Sequence, residues 1–345
     1  MKSSVRQTMV MAFFMTAPSN LEAGGNPQAP PKPNGRRRLV WLVVAGTAAI
    51  AVVFLYLHFW YSRPVGQGPA GPSVPSEKFE FAWTDRPVLV VGIGDSVTAG
   101  YGASTLGKSF FGRLVENPPD EFPDMRGKCL SKVFPNLSVS NVALSGSTSQ
   151  ECLEQLIPKI KVQDEDVFGI IVMTTGGNDI IHNYGRTPPR EGAMYGATFE
   201  QAQPWIKNFA DRLDAIITGL EAKFPAGCEF FVANIYDPTD GVGDTQNAGL
   251  PAWPDGLKII GAYNEIIAGA AEKHKNVRLV DMHAAFLGHG IHCQQFWRPH
   301  YDSRDAHYWY WDNLEDPNDR GYDALRRVFL NEMAHTLPSL LEDGD

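Results

Sequence analysis

Residues 39–61 read LVWLVVAGTAAIAVVFLYLHFWY, 23 residues without a single Asp, Glu, Lys or Arg. A soluble core rarely asks for so long an uninterrupted apolar stretch, whereas a helix crossing a bilayer needs about 20 such residues. Arg36, Arg37 and Arg38 flank its amino end, and His58, Trp60 and Tyr61, suited to a headgroup interface, close the other. A secretory signal core is shorter, about 7–15 residues, and is followed by a small-residue cleavage site. No such site is evident here. The run reads as a single-pass signal anchor, and its positive amino flank places residues 1–38 in the cytoplasm and the rest of the chain outside. The bilayer is the first expected partner.

The apolar run also divides the composition. Residues 1–38 are rich in Pro, Gly and Asn and read as a disordered tail. Residues 62–80 (SRPVGQGPAGPSVPSEKFE) read as an extended tether, and residues 81–345 as the folded domain. Six basic residues against Glu22 alone leave residues 1–61 at a formal +5. The whole chain carries −9, so the remainder carries −14. So acidic a body would repel phosphates instead of releasing their counterions, and nucleic acid is excluded as a partner.

Beyond the tether, short apolar runs alternate with helical stretches. Residues 88–93 (VLVVGI) form a continuous apolar run, as a strand buried on both faces should. Residues 137–144, 167–173, 229–234 and 277–280 are four more strand candidates. Helical patterns occupy 109–116, 148–161, 199–224, 257–274 and 318–336. Alternation of this kind predicts βαβ units around a parallel sheet with right-handed crossovers. Reactive groups of such a sheet gather beyond the carboxyl ends of its strands.

Three of those ends carry polar, glycine-bearing turns: Gly94-Asp95-Ser96-Val97-Thr98-Ala99-Gly100, Asn141-Val142-Ala143-Leu144-Ser145-Gly146-Ser147 and Gly176-Gly177-Asn178-Asp179. Their chemistry points to acyl transfer. Ser96, on a tight turn leaving a strand, is the candidate nucleophile. The backbone N–H groups of Ser96 and Gly146 and the side-chain amide of Asn178 are candidate donors to a developing oxyanion.

These residues resemble the first three sequence blocks of the SGNH, or GDSL, hydrolase family, in the family's order, over roughly residues 85–340. The resemblance implies an α/β fold, a flavodoxin-like three-layer sandwich with a five-stranded parallel sheet in the order 2-1-3-4-5, and no cofactor. It also implies Ser96 as nucleophile, with Gly146 and Asn178 in the oxyanion hole. The fourth block departs from the pattern. The family carries Asp-x-x-His before its last helix, often followed by Pro. Aligned on Pro317-Asn318, this chain has Asn313 at the Asp position and Asp316 at the His position. Allowing one inserted residue gives Asp312 and Glu315 instead. Neither register supplies a histidine.

The general base is therefore expected from an enlarged segment, residues 286–311, which holds His289, His292, His300 and His307. His292 and His307 are the leading candidates, with Asp316 as the acid that orients one of them. The spacings of these histidines match no familiar zinc site, and no metal is expected. The segment is also aromatic (Phe296, Trp297, Tyr301, Tyr308, Trp309, Tyr310, Trp311). It reads chiefly as packing against the sheet, or else as a lid over substrate. Residues 237–244 (DPTDGVGD) lack the EF-hand spacing and read as a solvated substrate-side loop. Cys129, Cys152, Cys228 and Cys293 all follow the apolar run, and two disulfides or buried thiols fit equally. Two functions remain: a membrane-anchored serine esterase acting on acylated glycans or lipids, and a degenerate hydrolase fold that binds or assembles extracytoplasmic polysaccharide.

Overall fold

The computed structural model describes residues 35–342, so nearly all of the tail expected to be disordered lies outside the described residues. Contacts separate one unit ending at Val52 from a second beginning at Val53. The apolar run lies in a helix, Gly35–Tyr56, continued by a wider turn through Leu57–Tyr61. Gly35–Tyr61 is 27 residues long with a mean hydropathy of 2.4 over its most apolar stretch, enough to cross a membrane. None of the residues of Gly35–Tyr56 is buried.

The second unit is built on five strands: β1 Val88–Gly94, β2 Leu137–Asn141, β3 Phe168–Thr174, β4 Cys228–Ala233 and β5 Val277–Val280. All pairings are parallel and the order is β2-β1-β3-β4-β5. The period-2 alternation of a strand sends successive side chains to opposite faces. In β3, Ile170 and Val172 join one apolar core while Ile171 and Met173 join the other. The first core is closed by helices Phe110–Val115 and Asp319–Glu342, through Phe110, Leu114, Tyr322, Leu325 and Phe329. The second is closed by Phe199–Glu221 and Gly256–Lys273, through Ile206, Phe209, Leu213, Ile259 and Tyr263. Each large apolar side chain so buried contributes about 1.5–3 kcal/mol. The helix Phe199–Glu221 starts where it does because Thr198 accepts from Gln201 N (3.2 Å) while the Gln201 side chain accepts from Thr198 N (2.9 Å).

Register decides what meets at the sheet's carboxyl edge. Gly94 at the end of β1 pairs with Thr174 at the end of β3, so the turns leaving those strands start side by side. Gly94 has φ +118°, and a Cβ there would sit 1.7 Å from the Thr174 carbonyl oxygen. Only glycine lets the two strand ends approach this closely.

Residues 62–80 are not a free tether. Ala70, Val74 and Phe79 are buried in the first core. The backbone of this stretch is taken up from both sides. Tyr308 N donates to Pro64 O (2.8 Å), Ala70 N to Asp323 (3.0 Å), and Arg320, Lys128 and Asn331 donate to the carbonyls of Gln67, Val74 and Ser73. Composition predicts flexibility here, but partners far along the chain satisfy the backbone groups that would otherwise hold water. The folded unit thus includes residues expected to precede it.

The aromatic segment divides. Tyr308, Trp309 and Tyr310 are buried in the first core, Trp309 and Tyr310 against Phe286, which supports packing over a lid. Phe296 and Trp297 stay exposed and meet the rings of Phe59 and Trp60. All four cysteines are buried free thiols. Burial pushes the thiols of Cys152, Cys228 and Cys293 up to about 12.

Candidate active site

Ser96 is the first residue of a single helical turn, Ser96–Ala99, that leaves β1. The Asp95 side chain caps that turn by accepting from Val97 N (3.1 Å) and also accepts from Thr174 Oγ1 (2.6 Å). Thr174 Oγ1 lies 2.8 Å from Thr98 Oγ1 in turn, so β3 braces the turn that carries the serine. Asp95 is fully enclosed, and burial pushes its carboxyl up to about 7 against the hydrogen bonds from Thr174 and Val97.

Asn178 stands in the short helix Gly177–Ile181 after β3, buried, and donates one amide hydrogen to Ser147 O (3.0 Å). Ser147, which the sequence did not single out, ties the three turns together. Its hydroxyl donates to Gly94 O (2.8 Å) while its carbonyl receives Asn178. Its place directly after Gly146 in a polar turn is the only clue the sequence offers. Asn141 adds a further tie, donating from Nδ2 to Thr98 O (2.9 Å).

Ser96 and Asn178 line one cavity of about 430 Å³. Its walls are mainly apolar, including Ile180, Ile235, Tyr236, Trp253, Leu257 and Ile260, with Arg63 and Arg186 among the lining residues. Gly146 occupies the neighbouring turn with φ +85° but is exposed and does not line this cavity. A Cβ at 146 would meet nothing within 4 Å, so glycine is favoured there by its backbone conformation and not by crowding within the chain.

Asp316 is buried behind the cavity-lining residues Asn313, Leu314 and Glu315 and is not itself among those residues. Burial raises its pKa, and side-chain hydrogen bonding by Ser96 and Asn313 opposes that rise. Asp316 Oδ1 is buried without a hydrogen-bond partner among the described residues. Asp316 Oδ2 is held by Asn313 Nδ2 at 2.6 Å. The Asn313 carbonyl oxygen accepts from the backbone N–H groups of Glu315 (3.2 Å) and Asp316 (3.1 Å), which fixes how the amide is turned.

The expectation that a loop histidine serves Ser96 is not met. Among the described residues, no histidine lines the cavity. His292 is buried with Nε2 2.7 Å from Asp244, and His307 places Nδ1 2.5 Å from Asp305. His289 stacks on Trp309, ring centroids 3.4 Å apart, and burial lowers its pKa. The ring of His300 lies beside Gly241. The cause is the 237–244 loop, which is not solvated as its composition implies. Asp240 is buried and accepts from Gly288 N (2.9 Å), Gly290 N (2.8 Å) and His292 N (2.9 Å), pinning the histidine segment to that loop. Asp237 likewise accepts from Thr239 N and Gly241 N. Among the described residues, no group of three or more His, Cys, Asp or Glu is placed to share a metal ion.

The sequence profile of the GDSL-like lipase/acylhydrolase family matches residues 93–324. The chain is similar in fold to an extracellular lipase from Streptomyces rimosus (16% identity, 71% of this chain and 99% of that one, TM-score 0.47). It is also similar to a phospholipase A1 from Streptomyces albidoflavus NA297 (20%, 72% and 100%, 0.44) and to an acetylxylan esterase from Geobacillus stearothermophilus (17%, 72% and 94%, 0.44). No curated protein sequence matches the chain.

Proposed function

The chain belongs to the GDSL-like lipase/acylhydrolase family, and from that premise we propose that it is a membrane-anchored serine esterase that cleaves carboxylic esters through an acyl-enzyme on Ser96. The observation that carries this reading is the shared cavity, with a serine and an amide donor on the wall of a mainly apolar space. An ester carbonyl set beside Ser96 would direct its oxygen towards the Ser96 N–H and the second amide hydrogen of Asn178. The Gly146 N–H on the adjacent turn is the third donor. Attack by Ser96 Oγ gives a tetrahedral oxyanion that these groups stabilise, and collapse releases the alcohol. Water then repeats the sequence and frees the acid. Loss of one such donor costs about 100–1000-fold in kcat.

The apolar lining favours an acyl chain longer than acetyl, because each buried CH₂ contributes about 0.8 kcal/mol. Arg63 follows the apolar helix by two residues and still lines the cavity, which favours an amphiphilic ester presented at a membrane surface. The Gly35–Tyr61 helix serves as the anchor, and the Arg36–Arg38 flank favours export of the body. A cavity without histidine favours a second reading, a binding module that has kept the fold and lost the chemistry.

Full-length protein in nanodiscs decides between them when supplied with p-nitrophenyl esters from acetate to octanoate. Hydrolysis rising with chain length and abolished by Ser96→Ala supports the esterase. Equal rates for wild type and Ser96→Ala would overturn it and leave the binding module.

A further inference from the structure

We propose that Asp316 itself, held by Asn313, takes the Ser96 proton, so that the site works as a serine–aspartate pair with no histidine. The inference rests on the esterase reading and names the base that reading lacks.

Three observations converge. Asp316 is buried, the Ser96 hydroxyl is among the groups acting on its carboxyl, and Oδ1 has no hydrogen-bond partner among the described residues. Its other oxygen is fixed at 2.6 Å by Asn313 Nδ2, whose orientation is set by the two backbone N–H groups on its carbonyl oxygen. And the pair is internally consistent. A histidine base needs a carboxylate to hold its ring N–H, whereas a carboxylate base needs a donor, and a second carboxylate at 313 would repel it. Asn313 with Asp316 exchanges both members at once and keeps the complementarity.

No rival fills the role. Asp95 borders the cavity, but its side chain is engaged by Thr174 and Val97 N in holding the turn. Glu315 also borders the cavity, but Ser96 is not among the groups acting on its carboxyl, whereas it is for Asp316. Among the described residues, the titratable groups on which Asp316 acts are Asp95, Glu315, Tyr236 and Tyr322, none of them a cation. Burial in that company strengthens the carboxylate as a base.

The steps balance. The Ser96 O–H proton passes to Asp316 as Oγ bonds to the ester carbon and the carbonyl pair moves to oxygen. Collapse breaks the bond to the alcohol, whose oxygen takes the proton back from Asp316. In the second half water loses a proton to Asp316 as it bonds to the acyl carbon. Ser96 Oγ then leaves and recovers that proton.

The test uses full-length protein and two readouts, ester hydrolysis and labelling by a fluorophosphonate. Asp316→Asn is expected to lower both by about 100-fold or more, the usual span for a lost general base, while His300→Ala and His307→Gln stay within about twofold of wild type. Because Asp316→Asn could fail through misfolding, Asn313→Asp with Asp316→His supplies the second arm. It is expected to restore labelling with an acid limb displaced towards the imidazole range. Ser96→Ala that abolishes hydrolysis while Asp316→Asn keeps more than a tenth of it would overturn this inference and leave the esterase standing. Loss of activity in a histidine variant comparable to that in Asp316→Asn would also overturn it. Full activity in Ser96→Ala would instead sink the esterase reading itself.

Discussion

The turns after β1 and β3 and the segment at residues 286–311 are both dense in residues able to do chemistry, but only the first pair delivers them to a common cavity. Ser96 and Asn178 leave adjacent strand ends in register and cannot avoid one another. The four histidines sit on a connection whose position is set elsewhere, by Asp240, by Asp244 and by the Trp309 ring. Strand register places side chains as a consequence of the fold, whereas a long connection places them only where its own contacts hold it.

The largest effect should come from attacking the register. Gly94→Ala sets a Cβ 1.7 Å from the Thr174 oxygen at a φ that side chains rarely adopt. A loss of more than about 3 kcal/mol is expected, visible as a collapse of the thermal midpoint. A midpoint unchanged within about 2 °C would mean that the two strand ends do not lie as close as their register requires.

Asn178→Ala should be next, lowering kcat by about 100-fold with little change in KM, since the oxyanion contact is made chiefly in the transition state. Some destabilisation accompanies it, because Ser147 O then loses its donor. A matched rise in KM with kcat intact would reassign Asn178 to substrate binding.

The smallest effect separates the two regions by pH. Burial raises Asp95, in the first turn, and Asp240, under the histidine segment, to about 7. Both bind protons more tightly folded than unfolded. Their contribution to stability is therefore full below the unfolded value near 4 and is lost as pH rises through about 7. Thermal midpoints should fall by a few degrees between pH 5 and 8. Asp240→Asn should flatten that slope and, in whatever protein remains folded, leave ester hydrolysis within about twofold. A slope untouched by Asp240→Asn would remove the carboxylate beneath the segment from this account.

Much of the fold was legible because it depends on local pattern. The apolar runs at β1, β3 and β4, each followed by turn residues, were enough to predict a parallel sheet, the resemblance to the SGNH family supplied its strand order, and three glycine-bearing turns marked Ser96 and Asn178. Gly146 stands on the third such turn, which neighbours the cavity without lining it. The composition of residues 62–80 does not reveal their place in the fold, because Pro, Gly and Ser report local freedom and say nothing of Asp323, Arg320 and Asn331, which are more than 250 residues away in sequence. The expectation of a histidine base meets the same limit of local pattern. Histidine is the residue whose ordinary pKa suits the task, so four of them in one segment outweighed one aspartate, and neither the pinning of that segment nor the partnership of Asp316 with Asn313 is written in spacing.

The sequence by itself determined the apolar helix, the parallel sheet and the turn that carries the serine, because hydrophobic period and glycine act over a few residues. Tertiary structure alone decided where the histidines went, that the stretch after the helix belongs to the folded unit, and that Asp316 is buried against Asn313. Those outcomes rest on contacts between residues distant in the chain, whose energies depend on burial and partners that exist only once the sheet has closed.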